Sequence, residues 1–453
     1  MNAPAISSRL APASASDLVA WEMIRTLIAF DTTSRESNLA LIDWVQDWLG
    51  SQGIESTLTF DDDRRKANLF ATLPAQDGNR VDGGIVLSGH TDVVPVDGQP
   101  WRTPPFVATP LGDRVYGRGV ADMKSFSATG LALVPEFLRR GLRRPLHFAL
   151  SYDEEVGCIG VRRLLADVAA RGVKPLGCIV GEPTGMELVV AHKGRKSWRC
   201  RVRGHEAHSS LTPQGVNAVQ IACEIVAFLT EAARAFRDHG GFDPAYDVAY
   251  TTVHTGVIKG GTALNIVPRD CAFDFEIRHL PFDDPDELFR RVEAYAQRFL
   301  PEMRAVAPDC FIEFDALSTM PGFDTHGDSE IAALGRDCNG THDTGKVSFG
   351  TEASLFDRAS IPTIICGPGH IAQAHQPNEW VSLQQLAACE AFLRRLADRV
   401  CVAWHRQHEG SPWSPTGRPE GEFRSAQHQG SSLRHRRAAA GANAGVHGSE
   451  ADR

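Results

Sequence analysis

From Gly83 onward, short apolar runs alternate with helix-length segments, and several runs end abruptly in glycine and a charged or imidazole residue. Ile85-Val86-Leu87 leads into Ser88-Gly89-His90, and Leu146-His147-Phe148-Ala149-Leu150 leads into Ser151-Tyr152-Asp153-Glu154-Glu155. Cys178-Ile179-Val180 runs into Gly181-Glu182-Pro183-Thr184, and Pro362-Thr363-Ile364-Ile365-Cys366 into a glycine-rich stretch that reaches His375. This alternation predicts an α/β fold built on a mixed, mostly parallel sheet. Ligands of such sheets bind beyond the carboxyl ends of the strands, so four strand ends bearing imidazoles or carboxylates point to one shared site.

Between 195 and 317 the pattern changes to strict alternation. Trp198, Cys200 and Val202 lie on one face of a strand and Arg199, Arg201 and Arg203 on the other, which predicts an antiparallel sheet buried on one side. A helix over about 217–236 follows, then strands over 250–258 and 270–278, a second helix and a last strand over 310–314. Asp284, Pro285 and Glu287 predict the start of that second helix as cap, first turn and capping box. The order βαββαβ is that of a ferredoxin-like α+β module. It interrupts the α/β pattern, which resumes at Val347 and closes with a helix over about 384–405.

The expected organisation is therefore a flexible N-terminus over 1–16, a catalytic domain formed by 17–194 and 318–408, an inserted module over 195–317, and a disordered tail over 409–453. In the tail, Pro412, Pro415 and Pro419 lead into Ser, Gly, Gln, Ala and Arg with hardly an aliphatic side chain. The first apolar segment, with Glu22 and Arg25 among Leu18, Val19, Trp21, Met23, Ile24, Leu27 and Ile28, predicts an amphipathic helix and not a signal-peptide core.

Composition narrows the function. Of 453 residues, 47 are Lys or Arg and 56 Asp or Glu, a formal net charge of −9, so no global basic field exists to hold a phosphate backbone and nucleic acid is not an expected partner. The apolar runs are far shorter than the roughly 18 residues of a membrane helix, so no membrane partner is expected either. Ten cysteines without a C-x-x-C pair, several of them inside apolar runs, are read as reduced thiols of a cytoplasmic protein.

In Gly89-His90-Thr91-Asp92, the imidazole and carboxylate are two apart, so on extended backbone both point the same way and Asp92 can orient His90 for a metal. Gly117-Arg118-Gly119-Val120-Ala121-Asp122 is a tight loop that presents one carboxylate, whose two oxygens can bridge two cations. At Asp153-Glu154-Glu155, three acids crowd a strand end, a costly arrangement without a compensating cation. On extended backbone Glu154 and Glu155 face opposite ways, one towards a metal and one towards the reacting water. With Glu182 and His375, the set His90, Asp122, Glu155, Glu182 and His375 supplies oxygen and imidazole donors for two divalent ions, zinc or cobalt, with room for a shared water.

These motifs, together with Gly204-His205-Glu206-Ala207-His208-Ser209-Ser210, resemble the co-catalytic zinc aminoacylase and carboxypeptidase family over about 18–404. The resemblance implies a metal-dependent amidohydrolase acting on a small N-acyl amino acid. It places His90 and Glu182 on one ion, Glu155 and His375 on the other and Asp122 on both, with Glu154 as general base. It also implies a homodimer built through the inserted module, which serves as dimerisation and lid domain, with His208 entering the partner's site to polarise the scissile carbonyl. Asn265 and Arg278 resemble the family's substrate-gripping strands, and an arginine fork at 278 suits a substrate carboxylate. Thr351 and Glu352 fall in a stretch expected to bind substrate, Glu352 by meeting a cationic amine.

Overall fold

A computed structural model describes residues 12–401. Its largest sheet has nine strands among the described residues. They run in the order Ser56–Phe60, Ala67–Leu73, Leu146–Ser151, Ile85–His90, Gly177–Val180, Thr363–Ile365, Val189–His192 and Phe323–Asp324, with Gly345–Val347 also pairing with Val189–His192. Its centre is parallel: Leu146–Ser151, Ile85–His90, Gly177–Val180 and Thr363–Ile365 pair in one direction. The margins are largely antiparallel, in the pairing of Ser56–Phe60, Ala67–Leu73 and Leu146–Ser151 on one side and of Val189–His192 with Thr363–Ile365 and Phe323–Asp324 on the other, where Gly345–Val347 alone joins in parallel among the described strands.

Burial on both faces explains the unbroken apolar runs. Ile85 and Leu87 join a core with Phe126, Leu41 and Phe392 from helices Lys124–Ala132, Leu39–Ser51 and Leu383–Val400. Val86, between them, joins Val161 and Leu164 of helix Ile159–Ala170 on the opposite face. The expected N-terminal helix is Trp21–Ile28, which buries Met23, Ile24, Leu27 and Ile28.

A separate four-stranded antiparallel sheet is formed by Thr252–Gly260, Asp270–His279, Gly194–Arg203 and Phe311–Met320, in that spatial order. Numbered along the chain this is 2-3-1-4, and with helix Ala218–His239 after the first strand and Pro285–Gln297 after the third it gives the ferredoxin-like βαββαβ arrangement. Trp198, Cys200 and Val202 are buried against these helices, and Trp198 stacks on Phe289 with centroids 4.5 Å apart. The fold is thus the mixed α/β sheet with an antiparallel α+β module.

The two sheets are joined where the chain crosses twice side by side. Met320 pairs with Arg195 in the small sheet, and Phe323 pairs with His192 in the large one. At the crossing a Cβ on Gly194 would lie 2.5 Å from the Gly322 nitrogen, so this approach requires glycine.

Four local expectations change. Asp284 does cap its helix, accepting the Asp286 amide at 2.9 Å, but the capping box with Glu287 does not form. The last strand of the module runs to Met320, well past 314. Ser14 caps a short 3-10 helix, Ala15–Asp17, with Ala15 buried, so the end of the segment expected to be flexible is folded in. The closing helix, expected to reach about 405, ends at Val400, where Cys401 is extended; residues 1–11 and 402–453, with the tail expected over 409–453, lie outside the described residues. Nine of the ten cysteines are buried, all are free, and only Cys223 is exposed.

Candidate metal centre

Five chain segments meet at the carboxyl edge of the parallel strands. His90 is the last residue of Ile85–His90, and its Nε2 lies 2.9 Å from Asp122 Oδ1 and 3.8 Å from Glu182 Oε1. The other Asp122 oxygen, Oδ2, lies 3.3 Å from His375 Nε2, which in turn sits 2.9 Å from Glu155 Oε2. Asp122 therefore turns one oxygen to each imidazole, the disposition of a bridging carboxylate. Ligand atoms of His90, Asp122 and Glu155 fall within 4.8 Å of one another, and so do those of His90, Glu154 and Glu182.

Charge is unbalanced here. Asp122, Glu154, Glu155 and Glu182 bring four largely buried carboxylates together. Burial, with Glu155 and Asp122 adding to it, pushes the Glu154 carboxyl up to about 8. Burial and Asp122 push Glu155 up to about 7. Burial also drives Glu182 well above the ordinary carboxylate range, and its Oε1 has no hydrogen-bond partner among the described residues. Hydrogen bonds to Asp122 and Glu155 push His375 up to about 10, while the two imidazoles hold Asp122 well below its ordinary value despite burial. An orphaned, fully buried carboxylate oxygen beside three more carboxylates and two imidazoles is a donor set that divalent cations satisfy. The residues fit a metal.

The spacing argument is corrected in two places. Asp92 does not hold His90 by its carboxylate: His90 Nδ1 meets the Asp92 backbone carbonyl at 2.8 Å, with the carboxylate 3.6 Å away. Asp92 instead accepts the backbone amides of Glu154 at 3.0 Å and Glu155 at 3.3 Å, and the Ser34 hydroxyl at 2.7 Å. Nor is the acidic segment extended. Asp153 has φ +54°, and the amides of Gly157 and Cys158 close a turn on the Glu154 carbonyl. That turn, clamped by Asp92, brings both glutamates to the same site. Asp153 itself pairs with Lys66 at 2.6 Å.

Two substrate assignments are also corrected. Glu352 is fully buried behind the strands, accepting the hydroxyls of Ser88 at 2.5 Å and Ser151 at 2.7 Å, so it has no face left for a substrate amine. Thr351 is equally buried, its hydroxyl taking the Ala353 amide and its own amide donating to His192. Arg278 lies near the end of an interior strand of the small sheet, between Thr252 and Arg195, with its Nε on Glu276 at 2.9 Å. Asn265 is exposed, and its carbonyl accepts the Ser209 amide beside His208. His208 is exposed, and its ring bonds locally, Nδ1 accepting the Ser210 amide at 3.2 Å. Glu379, which the motifs did not single out, takes three loop amides and an arginine at the rear of Asp122. Its signal in the sequence is only an acid four residues past His375.

The profile of peptidase family M20/M25/M40 matches residues 86–399. This chain belongs to that family and is an amidohydrolase. It is 31% identical over 394 residues to the acetylornithine deacetylase of Photorhabdus laumondii, a match covering 84% of this chain and 97% of that protein. It is 32% identical over 391 residues to the acetylornithine deacetylase of Yersinia pseudotuberculosis, with the same coverage. Among solved structures, aminopeptidase PepT from Bacillus cereus superposes with a TM-score of 0.66 at 19% identity, covering 84% of this chain and 98% of that one. An M20 family metallo-carboxypeptidase from Sulfolobus solfataricus gives 0.66 at 16% identity, covering 83% and 98%. No helix among the described residues is long and apolar enough to cross a membrane.

Proposed function

We propose that this chain is a two-metal amidohydrolase that removes the acetyl group of N2-acetyl-L-ornithine, giving L-ornithine and acetate for arginine biosynthesis in the cytoplasm. The observation that carries the reading is the convergence of Asp122, Glu155, Glu182, His90 and His375 beside Glu154, in a chain similar over 84% of its length to acetylornithine deacetylases. Zinc or cobalt ions would be held by His90 and Glu182 on one side and by Glu155 and His375 on the other, with Asp122 between. When bound, the pair supplies a water of lowered pKa and polarises the amide carbonyl.

Glu154 accepts a proton from the attacking water and returns it to the departing amine. Asp92 serves that step by fixing the Glu154 backbone amide. Because the Nδ1 of His208 accepts the Ser210 amide, the neutral ring carries its proton on Nε2, ready to donate to a carbonyl oxygen as negative charge builds there. We assign that donation to the partner's site in a homodimer assembled through the 195–317 module, the remaining 17–194 and 318–408 forming the catalytic domain. Arg278 and Asn265 are assigned to the substrate, Arg278 to its α-carboxylate.

A second reading, a succinyl-diaminopimelate desuccinylase or a dipeptidase, gains from the burial of Glu352, which removes the residue that would single out ornithine's amine. A non-catalytic metal-binding regulator is disfavoured by the retained Glu154. A panel of N-acyl amino acids and dipeptides, tested on metal-replete protein, decides among them. Acetylornithine is expected to be cleaved fastest, and faster cleavage of N-succinyl-diaminopimelate or of a dipeptide overturns the assignment.

A further inference from the structure

Glu379 holds no ion, base or substrate role above, yet it is buried and spends both oxygens on the loop that carries Asp122. Its Oε1 accepts the backbone amides of Gly119, Ala121 and Asp122 at 3.0, 2.8 and 3.1 Å. Its Oε2 accepts Arg118 Nη1 at 2.7 Å, and Arg118 is buried as well. Arg118 Nη2 donates to Gln99 Oε1 at 2.7 Å, and Gln99 Nε2 donates to the His375 carbonyl at 3.3 Å. Asn378 adds a parallel link, accepting the Arg102 amide at 2.6 Å.

We infer that Glu379, acting through its buried pair with Arg118, is a positioning residue that sets Asp122 against His375 and so fixes the half of the site assigned to the second ion. The inference rests on the two-ion reading. The Asp122 loop turns through Gly119 at φ +86° and is buried, whereas His375 stands half-exposed at φ +62°, so packing of its own ring does not hold the His375 segment in place. What both segments share is this hydrogen-bonded chain. Three amides on one oxygen leave the loop a single backbone course, and that course aims Asp122 Oδ1 at His90 and Oδ2 at His375. In Glu379→Gln the amide oxygen can still take the loop amides, but its NH2 then faces the Arg118 guanidinium, donor against donor, with the arginine charge uncompensated.

The test uses full-length protein stripped by a chelator and titrated with cobalt against a competing indicator, with the thermal midpoint of each stripped variant recorded. Wild type is expected to take two ions. Glu379→Gln is expected to lose about 10- to 100-fold in affinity for one of them and to keep the other. Gln99→Met, which leaves the buried pair in place, is expected to weaken the same ion less. Phe137→Leu, a core change in helix Val134–Arg140, is expected to lower the midpoint and keep both affinities, which a merely structural effect of Glu379 would not distinguish. Unchanged affinities in Glu379→Gln, or an equal loss in Phe137→Leu, overturn the inference. Should Glu379→Gln fail to fold, unchanged affinities in Gln99→Met overturn it. Fewer than two ions in wild type overturn the two-ion reading and this inference together, whereas two ions in wild type with unaltered variants overturn this inference alone.

Discussion

On the outward face of the antiparallel sheet, Arg199 meets Asp274 at 2.7 Å, and Arg201 meets Asp315 at 3.0 Å and Glu313 at 3.1 Å. At the carboxyl edge of the large sheet, Asp122, Glu154, Glu155 and Glu182 face two imidazoles. Both regions are dense in charge, but the first is solvated and neutralised strand against strand, while the second is buried and carries an excess of one sign. Water and salt screen the ladder, so each pair contributes about 0–1 kcal/mol. Inside the site the same charges cost so much that their protonation shifts. Density of charge does not mark a functional site; burial with imbalance does.

The largest effect that can break this contrast is removal of cations. Chelation is expected to abolish hydrolysis and zinc or cobalt to restore it, and full activity in protein shown by elemental analysis to be metal-free would sink the reading. Next, Glu154→Gln should retain metal while turnover falls by about 100- to 10,000-fold; turnover near wild type would leave Glu154 without its role. His208→Ala should cost about 100- to 1000-fold at unchanged metal content. Mixing it with Glu154→Gln should recover some activity if the residue serves the partner's site, and subunit exchange without recovery would place it elsewhere.

Stability sharpens the contrast with a smaller effect. The raised pKa values of Glu154 and Glu155 mean that the folded, metal-free protein keeps protons that the unfolded chain releases, so stability falls as pH rises from about the unfolded carboxylate value of 4.5 through 7 and 8. His375 acts in the same direction, since its support is complete below 6.5 and lost as pH rises through about 10. Metal-free protein should therefore melt at lower temperature at pH 9 than at pH 6, and added cation should raise the melting point most at the higher pH. A metal-free melting point that climbs over this range would contradict the imbalance. The smallest effect belongs to the ladder: Arg201→Ala should change stability by no more than about 1 kcal/mol and leave activity alone. A loss of several kcal/mol in denaturant unfolding would show the two regions to be less different than their burial implies.

Much of this was legible in the chain because it is local. Alternation of Trp198, Cys200 and Val202 with three arginines announces a one-sided strand, and the unbroken Leu146-to-Leu150 run announces a strand covered on both faces. The metal-centre residues stood out because all but Asp122 follow such a run, and Asp122 closes a glycine-rich loop of its own. What could not be read depends on partners far away in sequence. Asp92 finds amides about 60 residues on, and Glu352 finds the hydroxyls of Ser88 and Ser151 on two neighbouring strands more than 200 residues before it. Glu379 reaches back to the Gly119 loop. A polar side chain that satisfies backbone or hydroxyl groups leaves no periodic trace, so burial at 351 and 352 looked from the sequence like a substrate-binding stretch. The turn at Asp153 left no sign either, since its φ of +54° is imposed by the clamp on the following amides.

The double crossing at Gly194 and Gly322 bears on the order in which the molecule assembles. Val189–His192 and Phe323–Asp324 are neighbours in the large sheet, yet everything from 193 to 322 separates them along the chain. Closing so long a loop from an open coil is entropically costly, and the cost grows with the logarithm of its length. When Gly194–Arg203 and Phe311–Met320 have already paired, His192 and Phe323 arrive side by side with that closure complete. The antiparallel sheet can in this way act as the template for the far margin of the parallel one, and refolding that begins in the module should be faster than refolding that begins outside it.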